Sequence, residues 1–407
     1  MSRRIVIVGG GPAGVGAAMA AKQQDAAADV LLLHDEAGEP YEKPPLSKAV
    51  LTGKALPEHA PIAGPRGIAG ANVTFRGGVR VREIDRVERA VVTDAGERVP
   101  YNALVLATGS VNRILPMFPA GQPGIYYLRT AAEALALKAH LITAKSLILI
   151  GGGVVGLEVA ASAAELGLKV TVIEIAPRIL SRVCDEETAA IIQQSHWDRG
   201  VDIRTGTECA GLQALPDGRL AVVTKAGDTF AADLIVVGAG AVPEEGLARA
   251  AGLAVQDGIL VDDHGRTSDP AIFAAGDCTR FAGPNGLVRL ENWRHGQEHG
   301  AVVGRNAAGG DATYTAVPSF WSEQYDLYIQ GVGWPAAQPR ARVRRKVSDK
   351  ATLLFELDGA HIAHAIGINA QRDIATIRRM IERRTSVDPA ALADQTKPLN
   401  AMLQRKV

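Results

Sequence analysis

Apolar residues in this chain fall into short unbroken runs set between polar or glycine-rich stretches. Ile5-Val6-Ile7-Val8, Val30 to Leu33, Leu104 to Ala107, Leu147-Ile148-Leu149-Ile150, Val170 to Ile173 and Leu234 to Val237 all read as strands. Two of the runs lead directly into glycine turns and then into Ala-rich helix patterns. The first is followed by Gly9-Gly10-Gly11-Pro12-Ala13-Gly14 and the other by Gly151-Gly152-Gly153-Val154-Val155-Gly156. Each unit is thus strand, glycine turn, helix and strand, the setting in which a G-x-G-x-x-G motif binds a dinucleotide. In the second unit Gly151 is expected to make the tight turn, Gly153 to admit backbone to a pyrophosphate, and Gly156 to let the helix lie on the strand. Amides at the helix N-terminus then hold phosphate.

Both units end on acid. Glu174 follows Gly151 by 23 residues, where a carboxylate accepts both hydroxyls of an adenosine ribose and repels a 2′-phosphate, so NAD is expected over NADP. The first unit ends at His34-Asp35-Glu36. Two cradles in one chain imply two dinucleotides.

The order of elements after each cradle also repeats. Val91 to Thr93, a turn at Asp94-Ala95-Gly96 and Arg98 to Tyr101 form a predicted hairpin before the strand that ends in Ala107-Thr108-Gly109. Leu220 to Lys225, a turn at Ala226-Gly227-Asp228 and the strand ending in Gly238-Ala239-Gly240 echo it, which points to duplication of a whole domain. Asp269 to Asp277 supplies a further strand ending in Gly276-Asp277 and resumes the first copy. The fold class is therefore α/β, with two Rossmann-like dinucleotide-binding domains and a C-terminal α+β domain. Residues 1–110 and 241–318 are expected to form the first, discontinuous domain, 111–240 the second, and 319–407 the last. In that last part Thr352 to Leu357 and Ile362 to Ile368 read as a hairpin, and Asp373 to Arg384 as a helix with Ile374, Ile377 and Ile381 on one face. Asp388-Pro389 reads as an N-cap and first helical residue. Between the cradle and the first hairpin, Pro40 to Lys48 is a rigid loop in which Ser47 is expected to cap a short helix.

Composition narrows the function. Of 407 residues 47% are hydrophobic, and 44 Lys plus Arg balance 44 Asp plus Glu, so no overall field draws the chain to nucleic acid or membrane. No run is long enough to span a bilayer, the N-terminus enters a strand at once, and the cytoplasm is the expected compartment. Cys184, Cys209 and Cys278 have neither C-x-x-C nor zinc spacing and are expected to be reduced thiols. His295 and His299 lie four residues apart on a helix pattern without a third ligand, so no metal site is expected. The run Arg340 to Lys346 alternates and is strongly basic: either a solvated edge strand or a docking patch for an acidic partner, to which Arg305, Arg378 and Arg379 would add.

Together, the two cradles, the Ala107-Thr108-Gly109 and Gly276-Asp277 strand ends, and the C-terminal α+β part resemble the two-dinucleotide flavoprotein reductases of the glutathione reductase superfamily. Pro44-Pro45-Leu46-Ser47-Lys48 and Phe320-Trp321-Ser322-Glu323-Gln324-Tyr325-Asp326 are similar to the ferredoxin reductases of bacterial oxygenase and cytochrome P450 systems. The resemblance spans nearly the whole chain. It implies FAD on Gly9, Gly11, Pro12, Ala13 and Gly14, with Glu36, or alternatively Asp35, on its ribose. NADH is implied on Gly151, Gly153, Val154, Val155, Gly156 and Glu174. It further implies that Asp277 meets the FAD ribityl or phosphate region, with Lys48, Val81, Arg129, Trp293 and Trp321 near the flavin. For Trp321 plain core burial remains open.

Glu158, just inside the second cradle helix, is either a surface acid complementing the helix dipole or a group close to bound nucleotide. The resemblance implies the latter, paired with Lys48 near flavin N5. No cysteine lies between Tyr41 and Lys48, which disfavours thiol–disulfide exchange. The implied activity is passage of electrons from NADH through FAD, one at a time, to a [2Fe-2S] ferredoxin serving an oxygenase. The competing activities are an NADH oxidase or diaphorase, or an apoptosis-inducing-factor-like flavoprotein acting through partners. Lys43 where the family usually has arginine, and Ser319 where many members have an aromatic residue, leave flavin potential and partner choice open. The oligomeric state is open as well.

Overall fold

A computed structural model describes residues 2–315, 317–335, 339 and 341–403. Arg340, at the head of the basic run, lies outside them. The chain divides into two compact units, one built from Met1–Glu42, Leu56–Val111 and Ala241–Ala316, the other from Lys43–Ala55, Asn112–Gly240 and Val317–Val407.

In the first unit the apolar runs form a five-stranded parallel sheet in the order Ile272–Ala274, Ala103–Leu106, Arg4–Val8, Asp29–Leu33, Thr74–Arg76. The runs are unbroken because both faces are covered. Ile5 and Ile7 join one buried cluster while Val6 and Val8 join another on the opposite face. Ile272–Ala274, far along the chain, returns to pair with Ala103–Leu106, with Phe273 opposite Val105. Gly276 and Asp277 follow that strand in a short 3₁₀ turn.

The cradle helix, Pro12–Gln24, packs against the helix Trp293–Ala307 through small residues at four-residue spacing. A Cβ on Gly300 would lie 2.1 Å from the Ala13 carbonyl oxygen, and one on Gly304 2.0 Å from that of Ala17, so only glycine permits this approach. Further along, Ala90–Thr93 and Arg98–Pro100 form the expected hairpin, joined by an additional strand, Val81–Asp85.

The second unit repeats the arrangement: Asp202–Arg204, Lys169–Ile173, Ser146–Ile150, Leu234–Val237 and Ile125–Tyr126 lie parallel in that order. Leu147 and Leu149 face one core, Ile148 and Ile150 the other. A three-stranded antiparallel sheet, Cys209–Ala214, Leu220–Thr224 and Thr229–Ala232, corresponds to the one in the first unit.

The C-terminal part forms an antiparallel sheet in the order Ser319–Gln324, Leu327–Gly333, His361–Ile368, Ala351–Asp358, Ala341–Ser348. Leu353, Phe355 and Leu357 alternate into a core closed by Ile374, Ile377 and Met380 of the helix Gln371–Glu382. Asp388 caps the helix Pro389–Ala393 through the Ala390 amide.

The basic strand Ala341–Ser348 is an edge strand, yet it is not simply solvated. Arg342 pairs with Glu356, Arg344 with Glu187 and Lys346 with Asp349. Arg345 is buried, and its guanidinium donates to the carbonyl oxygens of Leu392, Asp394, Gln395 and Lys397. The fork of donors ties the C-terminal segment to the sheet, which a single ammonium cannot reproduce. Arg345→Met strands those carbonyls and is expected to cost about 3 kcal/mol locally. Hydrogen exchange at residues 392–397 should rise accordingly, with Arg345→Lys intermediate.

Candidate functional site

The two cradles are sterically alike. Gly9 has φ +115°, and a Cβ there would lie 2.1 Å from the Ala107 carbonyl oxygen; Gly151 has φ +104°, with the same collision at Gly238. The third glycines, Gly14 and Gly156, bring helix backbone onto the first ones. The middle glycines differ, because a Cβ on Gly11 or Gly153 would have no neighbour within 4 Å. Each is the residue just before its helix, and neither helix has a side-chain cap, whereas Thr130, Asp185 and Asn292 cap other helices with their side chains. Open space in front of uncapped helix amides fits a dinucleotide pyrophosphate in both places. Pro12 opens the first helix without an N–H of its own, so Ala13 supplies the first amide there, and Val154 and Val155 supply them in the other cradle.

Past these turns the cradles diverge. The Glu174 carboxylate is oriented by two backbone amides, Gly152 at 2.5 Å and Ala176 at 2.7 Å. In the first cradle the matching position after the second strand is His34, whose Nδ1 accepts from the Gly10 amide at 3.2 Å. The acid comes two residues later, and Glu36 accepts from the Tyr41 hydroxyl at 2.6 Å while Asp35 is largely exposed. Sequence reading missed His34, although its alignment with Glu174 at the strand end was the available signal.

The other expected residues of the first unit sit as follows. Thr108 donates to the Glu244 carbonyl oxygen, Gly109 has φ +71°, and Ser110 donates to Asp277 at 3.1 Å. Val81 is buried at the start of its strand, and Trp293 begins its helix. In the second unit, the Gly238 amide donates to Ile150 and Gly240 has φ +96°. Trp321 lies half-buried on Ser319–Gln324, and the Arg129 carbonyl oxygen accepts from Lys43 at 3.3 Å.

Within the second unit the structure brings together the two residues expected to act as a pair. Lys48 Nζ donates to Glu158 Oε2 at 2.9 Å, although the two are 110 positions apart. Glu158 is 4% exposed, so it is a buried group and not a surface acid. Two hydroxyls complete its shell: Ser47 donates to Oε2 at 2.5 Å and Ser322 to Oε1 at 2.8 Å. A buried carboxylate with one cation and two hydroxyl donors is held in one orientation. Ser47 does not cap a helix, contrary to the sequence-based expectation. It closes the 3₁₀ turn Pro44–Ser47, its carbonyl oxygen accepts from Ser162, and its hydroxyl is committed to Glu158. Ser322 entered the sequence reading only as part of the Phe320 to Asp326 motif; the structure places it buried on its strand beside exposed Glu323.

The cysteines carry no redox pair, all three being free. Burial pushes the Cys184 thiol up to about 12 and raises Cys278 and Cys209 as well, which leaves them poor nucleophiles. His295 and His299 pack with Phe281 and Tyr314 inside the first unit, and burial drops His295 to about 4 and His299 well below its ordinary value. Among the described residues no group of His, Cys, Asp and Glu is arranged to hold a metal, and no helix is long and apolar enough to cross a membrane.

The profile of the family described as pyridine nucleotide-disulphide oxidoreductase matches residues 3–300, and that of the reductase C-terminal domain residues 319–403. Rhodocoxin reductase of Rhodococcus erythropolis is 36% identical over 404 residues, covering 98% of this chain and 94% of its own. The ferredoxin–NAD(+) reductase component of the anthranilate 1,2-dioxygenase system of Burkholderia cepacia is 38% identical over 403 residues, 98% of each. The crystal structure of the covalent putidaredoxin reductase–putidaredoxin complex superposes with a TM-score of 0.91 at 34% identity, covering 98% of both chains.

Proposed function

We propose a function from one premise: the chain belongs to the pyridine nucleotide-disulphide oxidoreductase family, among its ferredoxin reductases. It is an FAD-dependent ferredoxin–NAD(+) reductase, and it passes electrons from NADH to a [2Fe-2S] ferredoxin that serves an oxygenase or cytochrome P450. The chemistry supplied by bound FAD is the exchange of one two-electron hydride for two single-electron transfers. The observation that carries this reading is the buried Lys48–Glu158 pair, with Glu158 on the second cradle helix and Glu174 at the end of the strand that follows it.

The chain's own groups have these roles. Residues 1–110 and 241–318 bind FAD, 111–240 bind NADH, and 319–407 form the α+β domain. Gly9, Gly11 and Gly14 with the following amides hold the FAD pyrophosphate, and Glu36 its ribose. By their likeness to the family's residues, Asp277, Val81, Arg129, Trp293 and Trp321 would line a bound flavin. With FAD bound, Lys48 would place a positive charge where hydride brings negative charge, and Glu158 keeps the ammonium aimed. No cysteine takes part. The cytoplasm, where NADH and reduced thiols coexist, is the compartment that suits this activity.

Glu174 sets the choice of nucleotide. With both oxygens pinned by amides, it meets vicinal hydroxyls without reorganising, and it repels a 2′-phosphate. Glu174→Ala is expected to weaken NADH binding about 10- to 100-fold, the loss of one or two hydrogen bonds to a charged group, and to narrow the preference over NADPH. Anaerobic stopped-flow reduction with each nucleotide tests the whole reading: NADH should bleach the flavin rapidly and NADPH slowly. Faster reduction by NADPH would contradict it.

A further inference from the structure

The hydrogen bonds on Glu158 continue beyond Ser322, and their direction is fixed. An ionised carboxylate only accepts, so Ser322 must donate to Oε1. Its oxygen then accepts from Gln324 Nε2 at 3.0 Å, which turns Gln324 Oε1 toward His196 Nε2 at 2.9 Å. That nitrogen must carry hydrogen, leaving Nδ1 to accept from the Tyr325 hydroxyl at 3.2 Å. Every link therefore points toward Glu158. The four residues from His196 to Glu158 are all buried, none more than 4% exposed. At the outer end the Arg199 guanidinium lies 4.3 Å over the Tyr325 ring and pairs with Asp326. Tyr325 holds φ +56°, a left-handed conformation costly for an aromatic residue, in the tight turn that presents its hydroxyl.

We propose that His196 and Gln324 are positioning residues for hydride transfer, acting through Ser322 to fix the orientation and charge of Glu158. Aligned donors polarise one another, so a break at His196 weakens the last bond onto the carboxylate. The arrangement needs a neutral imidazole. Burial lowers His196 below its ordinary value, Arg199 adds to this, and the bond to Gln324 opposes it. The charged groups at the ends of the chain are Arg199, Asp326 and Glu165 outside, and Lys48 with Glu158 inside. The role in catalysis rests on the ferredoxin reductase reading, but the direction of the chain does not.

Two measurements separate these. Nitrogen NMR of the histidine-labelled holoenzyme should show His196 at neutral pH as the neutral tautomer protonated on Nε2; protonation on Nδ1, or on both, overturns the proposal. Stopped-flow reduction by NADH across pH should then show His196→Phe with its acidic limb moved up by about 0.5–1 pH unit. His196→Gln, which places an N–H where Nε2–H stood, should restore the wild-type profile. Gln324→Leu should repeat the shift if the phenylalanine variant fails to fold. Superimposable profiles in all variants overturn the role. If NADH does not reduce even the wild-type protein, the functional reading fails, and the tautomer alone decides on the chain.

Discussion

A Gly14→Val variant is expected to purify without flavin and to refuse added FAD. Two effects compete at this position. Replacing a helical glycine normally helps, by roughly 1 kcal/mol for alanine and less for a β-branched residue. Against that, a Cβ on Gly14 would lie 1.8 Å from the Gly9 carbonyl oxygen, well inside contact distance and against backbone that cannot rotate away. The steric term wins, and it drives the helix off the strand together with the amides that hold phosphate. Gly11→Ala is the informative control. Gly11 has φ −75° and ψ −176°, extended backbone open to any residue, and a Cβ there meets nothing. That variant should fold like the wild type by circular dichroism, yet lose FAD affinity about 10- to 100-fold because the methyl group enters the space left for pyrophosphate. Flavin absorbance per polypeptide reads both.

Lys48→Met should slow reduction of the flavin by NADH about 100-fold, comparable with removal of one preorganised donor from an oxyanion site. Glu158 is the reason for so large a loss. Its carboxylate is 5% exposed at the side chain and would keep two hydroxyl donors but no cation, so negative charge stays beside the position where more of it must arrive. The same uncompensated buried charge is expected to destabilise the fold by about 3 kcal/mol. Glu158→Gln leaves a lysine that is 18% exposed and still solvated, and it should slow reduction only about 10-fold. Since the two residues act as a pair, the double variant should be no slower than Lys48→Met. Single-turnover rates under anaerobic conditions, with thermal melts of each variant, check the order.

What could be read before folding was what is local along the chain. The apolar runs and glycine turns gave both parallel sheets because a strand covered on both faces has no reason to alternate, and because Gly9 and Gly151 need positive φ. Glu174 was legible from its distance to Gly151. A strand over Asp269 to Asp277 that resumes the first copy was legible, whereas its pairing with Ala103–Leu106 came only with the fold. The Lys48–Glu158 pair bridges 110 positions, which no spacing rule reaches, and family resemblance alone brought it forward. Ser47 was read as a cap, Ser322 and Gln324 only as parts of a motif, and His196 not at all, because polar residues at such positions ordinarily face water and only tertiary burial turns them inward. Arg345 was hidden in the same way, as one cation in an alternating basic stretch whose described neighbours form surface ion pairs.

The most direct test is NADH-driven reduction of cytochrome c by the purified holoenzyme, with and without a [2Fe-2S] ferredoxin. Rapid reduction that depends on the ferredoxin and on NADH is the predicted result. Rapid reduction without ferredoxin, or none with it while the flavin is still bleached by NADH, would contradict the assignment.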